Sequence, residues 1–223
     1  MFTVGPAFWG GEAGDPYWSY VRALLHFDGG LTDSSPAPTT WTAENSATVA
    51  ATGQIFGSGC LDCQASTSDG IVGGATIAFG TGDFCIEAWF YEADLASKNQ
   101  WWFNASGSTS SIGLWSLTSG TLVPNGGGSS GLSNHAYSFS SWLHIAIVRN
   151  GNTMYCYVNG IESHSWDCTG WNHGTGTADF RLGKSTGGGS GRKLLVDEFR
   201  ITVGVPRYTG DFTPSGPFPN RGL

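Results

Sequence analysis

The stretch "WLHIAIVRNGNTMYCYVNGIESHSWDC", residues 142–168, predicts three antiparallel strands joined by two tight turns. Runs of β-branched and aromatic residues are interrupted by Asn150-Gly151 and by Asn159-Gly160. Asn-Gly favours a two-residue hairpin turn because both residues tolerate the positive φ that such a turn requires. The stretch therefore predicts a β-meander.

Other segments also alternate in the manner of strands. "VRALLHFDGG", from Val21, predicts a first strand that ends at two glycines, and "GDFCIEAWFYEAD", residues 82–94, predicts the longest strand. One face of the first strand would carry Val21, Ala23, Leu25 and Phe27. In the second, Phe84, Ile86, Ala88 and Phe90 would face away from Cys85, Glu87, Trp89 and Tyr91. Period-two alternation of this kind indicates half-buried strands.

Composition agrees with an all-β class. The 223 residues include 35 Gly, 10 Trp and 13 Phe, and only 12% are charged. Because no segment has the pattern of a long amphipathic helix, we predict a sandwich of two antiparallel sheets. We assign residues 21–223 to this one domain, with an extended N-terminal arm over residues 1–20. The proline-rich tail from Pro206 would wrap around the sandwich rather than pair as a strand.

Charge and hydropathy exclude some partners. A formal charge of −7 with 10 Lys and Arg argues against nucleic-acid binding, which needs a basic surface. No apolar run approaches the roughly 20 residues of a membrane helix, so we expect no membrane partner. The N-terminus lacks the basic start and apolar core of a signal peptide, so we expect synthesis in a cytoplasm.

The five cysteines do not indicate a zinc site. Cys60 and Cys63 form a single C-x-x-C pair without a second one. Cys85 and Cys156 lie in strand-like runs, where a thiol acts as a small apolar side chain. We favour reduced thiols over disulfides.

The N-terminal arm is rich in aromatic residues. Burial of a large side chain stabilises a contact by roughly 1.5–3 kcal/mol, so these aromatics predict docking on a neighbouring subunit, with a homo-oligomer expected. Removing residues 1–20 should leave the sandwich folded. The docking residues are Phe2, Phe8, Trp9, Tyr17 and Trp18.

Asp197 and Glu198 are adjacent in a strand-like run, which raises the question of catalysis. Alternation would place Asp197 with Leu195, Phe199 and Ile201 on the apolar face, and Glu198 with Val196 and Arg200 on the other. Because the two carboxylates would then point apart, we expect a structural role. Glu198 would pair with Arg200, and Arg207 is an alternative partner for Asp197.

Several aromatics outside the arm could form a sugar-binding surface, because the apolar faces of sugars stack on aromatic rings. The alternative is that these rings fill the core of a large sandwich. Trp171, between Gly170 and Asn172, best fits the surface role. The candidate residues are Trp101, Trp102, Trp166, Trp171 and His173.

Five fragments in order resemble a known family. They are "LLHFDGGLTDSSP", "FGSGCLDC", "FGTGDFCIEAWFYEAD", "WLHIAIVRNGNTMYCYVNG" and "LLVDEFRITVGVPRYTGDFTP". Together they resemble a concanavalin A-like lectin/glucanase domain of the laminin-G type, in the form found in tailed-bacteriophage virion proteins. The resemblance covers about residues 21–218 and implies a jelly-roll sandwich with one concave, glycan-binding sheet.

The resemblance also implies two possible sites. Many members hold a structural Ca²⁺, and the matching positions here are Asp197, Asp28 and Gly57, together with backbone carbonyls. The alternative is that Asp197 accepts backbone N–H bonds. Hydrolase relatives carry E-x-D-x-x-E, whereas this chain has Glu92-Ala93-Asp94 followed by Ser97. The third acid is missing, which argues against glycosidase activity.

Three functions follow, in order of preference. The first is a non-catalytic bacteriophage virion protein, a capsid decoration or tail-associated subunit located in the virion and docked through the arm. The second is a carbohydrate-binding module for a host-surface or environmental glycan. The third, a glycoside hydrolase, is a remote alternative.

Overall fold

The computed structural model describes residues 14–74, 77–92, 100–106, 109–117, 121–126, 135–136, 140–174, 179–185 and 193–223. The strands in these ranges are β1 (Val21–Leu25), β2 (Trp41–Glu44), β3 (Thr48–Ala50), β4 (Cys60–Asp62), β5 (Gly70–Gly73), β6 (Phe84–Glu92), β7 (Gln100–Ser106), β8 (Ser111–Ser116), β9 (Thr121–Asn125), β10 (His135–Ala136), β11 (Trp142–Asn150), β12 (Thr153–Val158), β13 (Ile161–Asp167), β14 (Phe180–Leu182) and β15 (Leu194–Val203).

Two antiparallel sheets contain all these strands, which confirms the predicted all-β sandwich. One has the order β13-β12-β11-β6-β15-β4-β3, with β1 also paired to β15, and we call it the eight-stranded sheet. The other, the seven-stranded sheet, has the order β10-β9-β8-β7-β14-β5-β2. Within the described ranges the helical structure is one 3₁₀ turn, Trp18–Tyr20, so no helix there could cross a membrane.

The core lies between the two sheets and is rich in aromatic rings. Phe90 of β6 packs on Trp102 of β7 with ring centroids 5.0 Å apart, and Phe199 of β15 packs on Phe180 of β14 at 5.2 Å. Phe84, Ile86, Ala88 and Phe90 all face this core, as their alternation predicts. The five cysteines are buried free thiols, and burial raises the pKa of Cys60 to about 12.

The meander of residues 142–168 is present, but its two turns differ. Val158 pairs with Ile161 across Asn159 and Gly160, both of which have positive φ, as in a type I′ turn. In the first hairpin Asn150 pairs with Thr153, so the loop is Gly151-Asn152. Only Gly151 has positive φ there, which is the pattern of a type II′ turn with glycine first.

The segment after β15 lies against the eight-stranded sheet on the side away from the core, which we call the outer face. Phe212 packs on Tyr157 of β12 with centroids 5.5 Å apart and stacks on Tyr208 at 3.5 Å. Phe218 contacts Val21 and Leu24 of β1. Val21 is on this side, and not with Ala23 and Leu25 as alternation predicts, because a register shift lies between Val21 and Ala23.

Candidate functional site

A bulge in β15 brings Asp197 and Glu198 to the same side of the strand. Its register with β6 shifts between Asp197 and Arg200, and Glu198 has a φ of 52°. Val196 and Phe199 face the core on either side of the bulge. The extra residue places both carboxylates on the outer face, which corrects the prediction that Asp197 shares the core face.

Asp197 is completely buried and holds a turn from another part of the chain. Its Oδ2 accepts hydrogen bonds from the backbone N–H groups of Ile55 and Phe56, each at 3.0 Å. Its Oδ1 has no hydrogen-bond partner. Burial raises the pKa of this carboxyl to about 6, although the two N–H bonds lower it. Arg207, the predicted alternative partner of Asp197, does not pair with it. Arg207 binds Asp15 instead.

Asp28 holds the other end of the same turn. Its Oδ1 accepts a hydrogen bond from the Ser58 N–H, and a Cβ at Gly57 would overlap this carboxylate. Gly57 also has a φ of 56°, so the turn favours glycine for both reasons. Asp28 and Asp197 therefore act on one four-residue turn, residues 55–58.

The side chains of Asp197 and Asp28 offer oxygen atoms, which are the ligands that Ca²⁺ prefers, and the ion takes six to eight of them. Asp197 Oδ1 is a buried oxygen with no partner, and Asp28 supplies a second carboxylate. The two would hold the ion together with backbone carbonyls. Within the described ranges no group of three or more His, Cys, Asp or Glu side chains could hold a metal, so carbonyl oxygens would have to complete the shell.

Glu198 pairs with His26, and not with Arg200 as predicted. The Glu198 Oε1 lies 2.8 Å from His26 Nδ1, and its Oε2 accepts a hydrogen bond from the Phe218 N–H at 2.7 Å. Burial lowers the pKa of His26, but the hydrogen bond and charge of Glu198 outweigh burial and raise it overall. Glu198 thus links the first strand to the tail.

Arg200 belongs to a buried network that the sequence did not reveal. It pairs with Glu87 at 2.8 Å and with Asp15 at 3.2 Å. Glu87 Oε2 also accepts a hydrogen bond from the Tyr208 hydroxyl at 2.8 Å and lies 3.2 Å from His144 Nε2. The alternation of β6 placed Glu87 on the face opposite the core, but its partners lie 57 or more residues away in sequence.

The candidate sugar-binding residues do not form one surface. Trp102 is fully buried in the core, and His173 is only 2% exposed, with its Nε2 3.4 Å from the Ala105 carbonyl. Neither ring has a face available to a sugar, which corrects both predictions. Burial lowers the pKa of His173. Trp171 is half-buried against the core, with Arg149 5.5 Å from its ring centroid.

The two remaining candidates are partly exposed and lie on different sheets. Trp166 of β13 stacks on His164 with centroids 5.5 Å apart, and its Nε1 donates a hydrogen bond to the Gly126 carbonyl at 2.8 Å. Trp101 of β7 stacks on Trp115 of β8 at 5.6 Å, with 18° between the ring planes.

Trp101 and Trp115 are directly paired across neighbouring strands of the seven-stranded sheet. Trp101 points away from the core, and a bulge follows, so that Trp102 and Phe103 both point into the core. A Cβ at Gly113 would lie 2.7 Å from Cζ3 of Trp101, so the indole lies over this glycine. Sequence reasoning missed Trp115, although in "SIGLWS" it alternates with the core residues Ile112 and Leu114.

Two arm residues lie in the described part of the chain. Tyr17 is half-buried, with the Arg207 guanidinium 5.4 Å from its ring centroid, and Trp18 packs against Phe218 and its neighbours. Phe2, Phe8 and Trp9 lie outside the described residues. The same is true of residues 93–99 in the hydrolase-like motif, whereas Glu92 is buried.

Comparison with solved structures shows a shared fold at low identity. The chain is similar to domain 4 of AbnA, a GH43 extracellular arabinanase from Geobacillus stearothermophilus, solved in complex with arabinotriose. The identity is 20% and the TM-score 0.64, over 83% of this chain and 93% of that one.

Toxin domains share the fold too. The binding domain of Paraclostridial Mosquitocidal Protein 1 is 15% identical with a TM-score of 0.63, over 85% of this chain. The receptor binding domain of botulinum neurotoxin D is 12% identical with a TM-score of 0.62, over 88% of this chain. This chain spans about half the length of each toxin domain.

Sequence comparison gives the family. No curated protein matches the chain in sequence. Residues 65–205, more than half of the chain, match the family described as the concanavalin A-like lectin/glucanases superfamily. The two antiparallel sheets agree with this match. The chain therefore belongs to the concanavalin A-like lectin/glucanase superfamily.

Proposed function

We propose that this domain binds a glycan without cleaving it, through the stacked pair Trp101 and Trp115 on the seven-stranded sheet. The observation that carries the proposal is the pair itself, two nearly parallel and partly exposed indoles on adjacent strands. An indole face is a flat apolar platform on which the C–H face of a sugar ring can stack.

The row of residues next to the pair indicates the charge of the glycan. Across the sheet, Arg181 pairs with Asn104, Asn104 with Gly113, and Gly113 with Asn125, which forms one row beside the tryptophans. Arg181 is already paired with Glu44 and Asp179, so it carries no spare positive charge for an acidic sugar. We therefore expect a neutral glycan. The arabinotriose complex of the AbnA domain and the receptor-binding role of the toxin domains agree with this class of function.

A glycan array screened with the full chain tests the proposal. We expect binding to a neutral oligosaccharide that is lost in Trp101→Ala and in Trp115→Ala. Trp166→Ala is the matched control, because it also removes a partly exposed, stacked tryptophan but from the other sheet. Absence of binding at high protein concentration, or binding that survives both substitutions, would overturn the proposal.

A second candidate is a virion structural subunit that docks through its N-terminal arm. The supporting observation is that Arg207 contacts both Asp15 and Tyr17, which fixes the segment following residues 1–13 on the outer face. Deleting residues 1–20 would also remove Asp15, the partner of Arg200 and Arg207. We therefore expect this deletion to destabilise the sandwich, which corrects the prediction that it leaves the sandwich folded. Deleting residues 2–13 is the cleaner test, and normal incorporation of that variant into particles would contradict docking by the arm.

A further inference from the structure

Asp15 occupies a site built from two arginines on the outer face of the eight-stranded sheet. The Arg207 guanidinium donates to both carboxylate oxygens, at 3.1 Å to Oδ1 and 2.5 Å to Oδ2, and Arg200 donates to Oδ2 at 3.2 Å. The Tyr17 N–H adds a bond to Oδ1 at 2.8 Å. Asp15 is 2% exposed, and both arginines are about nineteen-twentieths buried. Bidentate binding of this kind recognises the shape of a carboxylate as well as its charge.

The charges of the site balance only when Asp15 is present. Arg200 and Arg207 carry two positive charges, and Glu87 beneath them supplies one negative charge, at 2.8 Å from Arg200 and 3.7 Å from Arg207. Asp15 supplies the second. Without it one buried guanidinium charge lacks a partner, which is costly in a site of low polarity.

The Asp15 carboxylate, which occupies the site, comes from a segment outside the sheet. Residues 14–17 precede the 3₁₀ turn, and Asp15 is held there by a main-chain bond from its N–H to the Arg221 carbonyl at 2.8 Å. Beside the carboxylate lies an open cleft of about 410 Å³ lined by Tyr17, Tyr208, Pro217 and Pro219. A small solute can therefore reach the arginines if the Asp15 carboxylate is removed.

We propose that Arg200 and Arg207 form a carboxylate-binding site that Asp15 fills from within the chain and that a free carboxylate fills when the Asp15 side chain is removed. The ligand class is a carboxylate small enough for the space left by the Asp15 side chain. The site is separate from the tryptophan pair on the other sheet.

Chemical rescue of the full-length Asp15→Ala variant tests this proposal, with acetate as the probe. We expect its midpoint of thermal unfolding to fall by roughly 6–20 °C, as for a buried ion pair that loses one partner. Added sodium acetate should then raise the midpoint in proportion to the logarithm of its concentration. Sodium chloride at the same ionic strength should have a smaller effect.

Three controls separate the site from a general salt effect. The wild-type chain and Asp15→Asn, whose side chain still fills the site, should respond alike to acetate and chloride. Asp33→Ala removes a buried carboxylate held by N–H and hydroxyl donors instead of arginines, so it should show no acetate-specific response. An Asp15→Ala variant that keeps the wild-type midpoint, or that responds equally to both salts, would overturn the proposal.

If Asp15→Ala does not fold in chloride, its refolding yield provides the second measurement. Near-ultraviolet circular dichroism of the tryptophans reports that yield. A higher yield in acetate than in chloride supports the site, and equal yields in both salts exclude it.

Discussion

The N–H of Phe212 donates a hydrogen bond to the carbonyl of Gly160 at 2.9 Å, so the tail is fastened to the second turn of the central meander. The contact is close, because a Cβ at Gly160 would overlap the Phe212 carbonyl oxygen. The turn therefore has two roles, reversing the chain and receiving the tail.

We predict that Gly160→Ala destabilises the protein more than Gly151→Ala. Both glycines have positive φ, 79° and 60°, so each alanine loses about 1–2 kcal/mol of unfolding free energy through backbone strain. Nothing lies within 4 Å of a Cβ at Gly151, whereas at Gly160 the tail must move, at roughly a further 1–3 kcal/mol. Urea unfolding of both variants measures this difference, and equal losses would contradict it.

Substitutions of the two neighbouring tryptophans of β7, Trp101 and Trp102, should differ in their effect on the free energy of unfolding. Trp102 is fully buried against Phe90, so Trp102→Ala should lower the free energy of unfolding by about 3–5 kcal/mol. Trp101→Ala should lower the free energy of unfolding by only about 0.5–1.5 kcal/mol. This is the contribution of an aromatic pair in addition to the burial of its surface. Denaturant titrations provide the comparison. If the two losses were equal, Trp101 would be a core residue and not part of a platform.

Calcium should stabilise the metal-free protein through Asp197. At a hundredfold excess over its Kd the ion should raise the thermal midpoint by roughly 5–10 °C, and Mg²⁺ should do less because it prefers a smaller octahedral shell. Asp197→Ala should remove this increase and lower the midpoint without calcium too, since the Ile55 and Phe56 N–H groups lose their acceptor.

The control for this experiment is Asp69→Asn. Asp69 is also a fully buried carboxylate that accepts backbone N–H bonds, from Ser46 and Ser66, but it lies in another turn. Its variant should keep the calcium response. A calcium response that persists in Asp197→Ala would show that the ion binds elsewhere.

Glu87 should make the protein sensitive to acid. Burial raises its pKa, but Arg200, His144 and Arg207 together hold the pKa well below its ordinary value of 4.5. A depressed pKa in the folded state means that the stabilisation is complete above pH 4.5 and is lost as the pH falls below it. The Glu87→Gln variant should be less stable at pH 7 by about 3–5 kcal/mol, and this deficit should shrink below pH 4.5.

Stability curves measured between pH 3 and pH 8 test this dependence. Glu162→Gln serves as the control, because it removes an exposed acid on β13 and should leave the wild-type curve unchanged. A Glu87→Gln deficit that stays constant over the whole range would show that the carboxylate acts by packing and not by charge.

Alternation predicted the long strands well where they are regular. In β6 all four residues expected to face the core do so, and the Asn159-Gly160 turn has the geometry expected of its sequence. The errors fall at bulges, where one extra residue moves the following side chains to the other face. Asp197 and Val21 were both assigned incorrectly for this reason.

The partners of buried charges could not be predicted from local pattern. Arg200 was expected to bind Glu198, two residues away, but it binds Glu87 and Asp15, which are 113 and 185 residues away. Arg200 and Glu87 are opposite each other where β15 pairs with β6, and the packing of residues 14–17 over this sheet brings Asp15 to Arg200. Strand alternation identifies the face of a side chain but not what covers that face.

Asp15 and Gly222 form a parallel bridge, so the chain enters and leaves the sandwich at one point. A unit bounded by these two residues could be placed within a surface loop of a host protein, with both junctions side by side and little strain on the host. A short linker between the same positions would equally close the chain into a ring, which could then be reopened at the Gly151-Asn152 turn. The ion pairs of Asp15 with Arg200 and Arg207 hold this entry point in place, which makes the sandwich suitable for insertion into another protein.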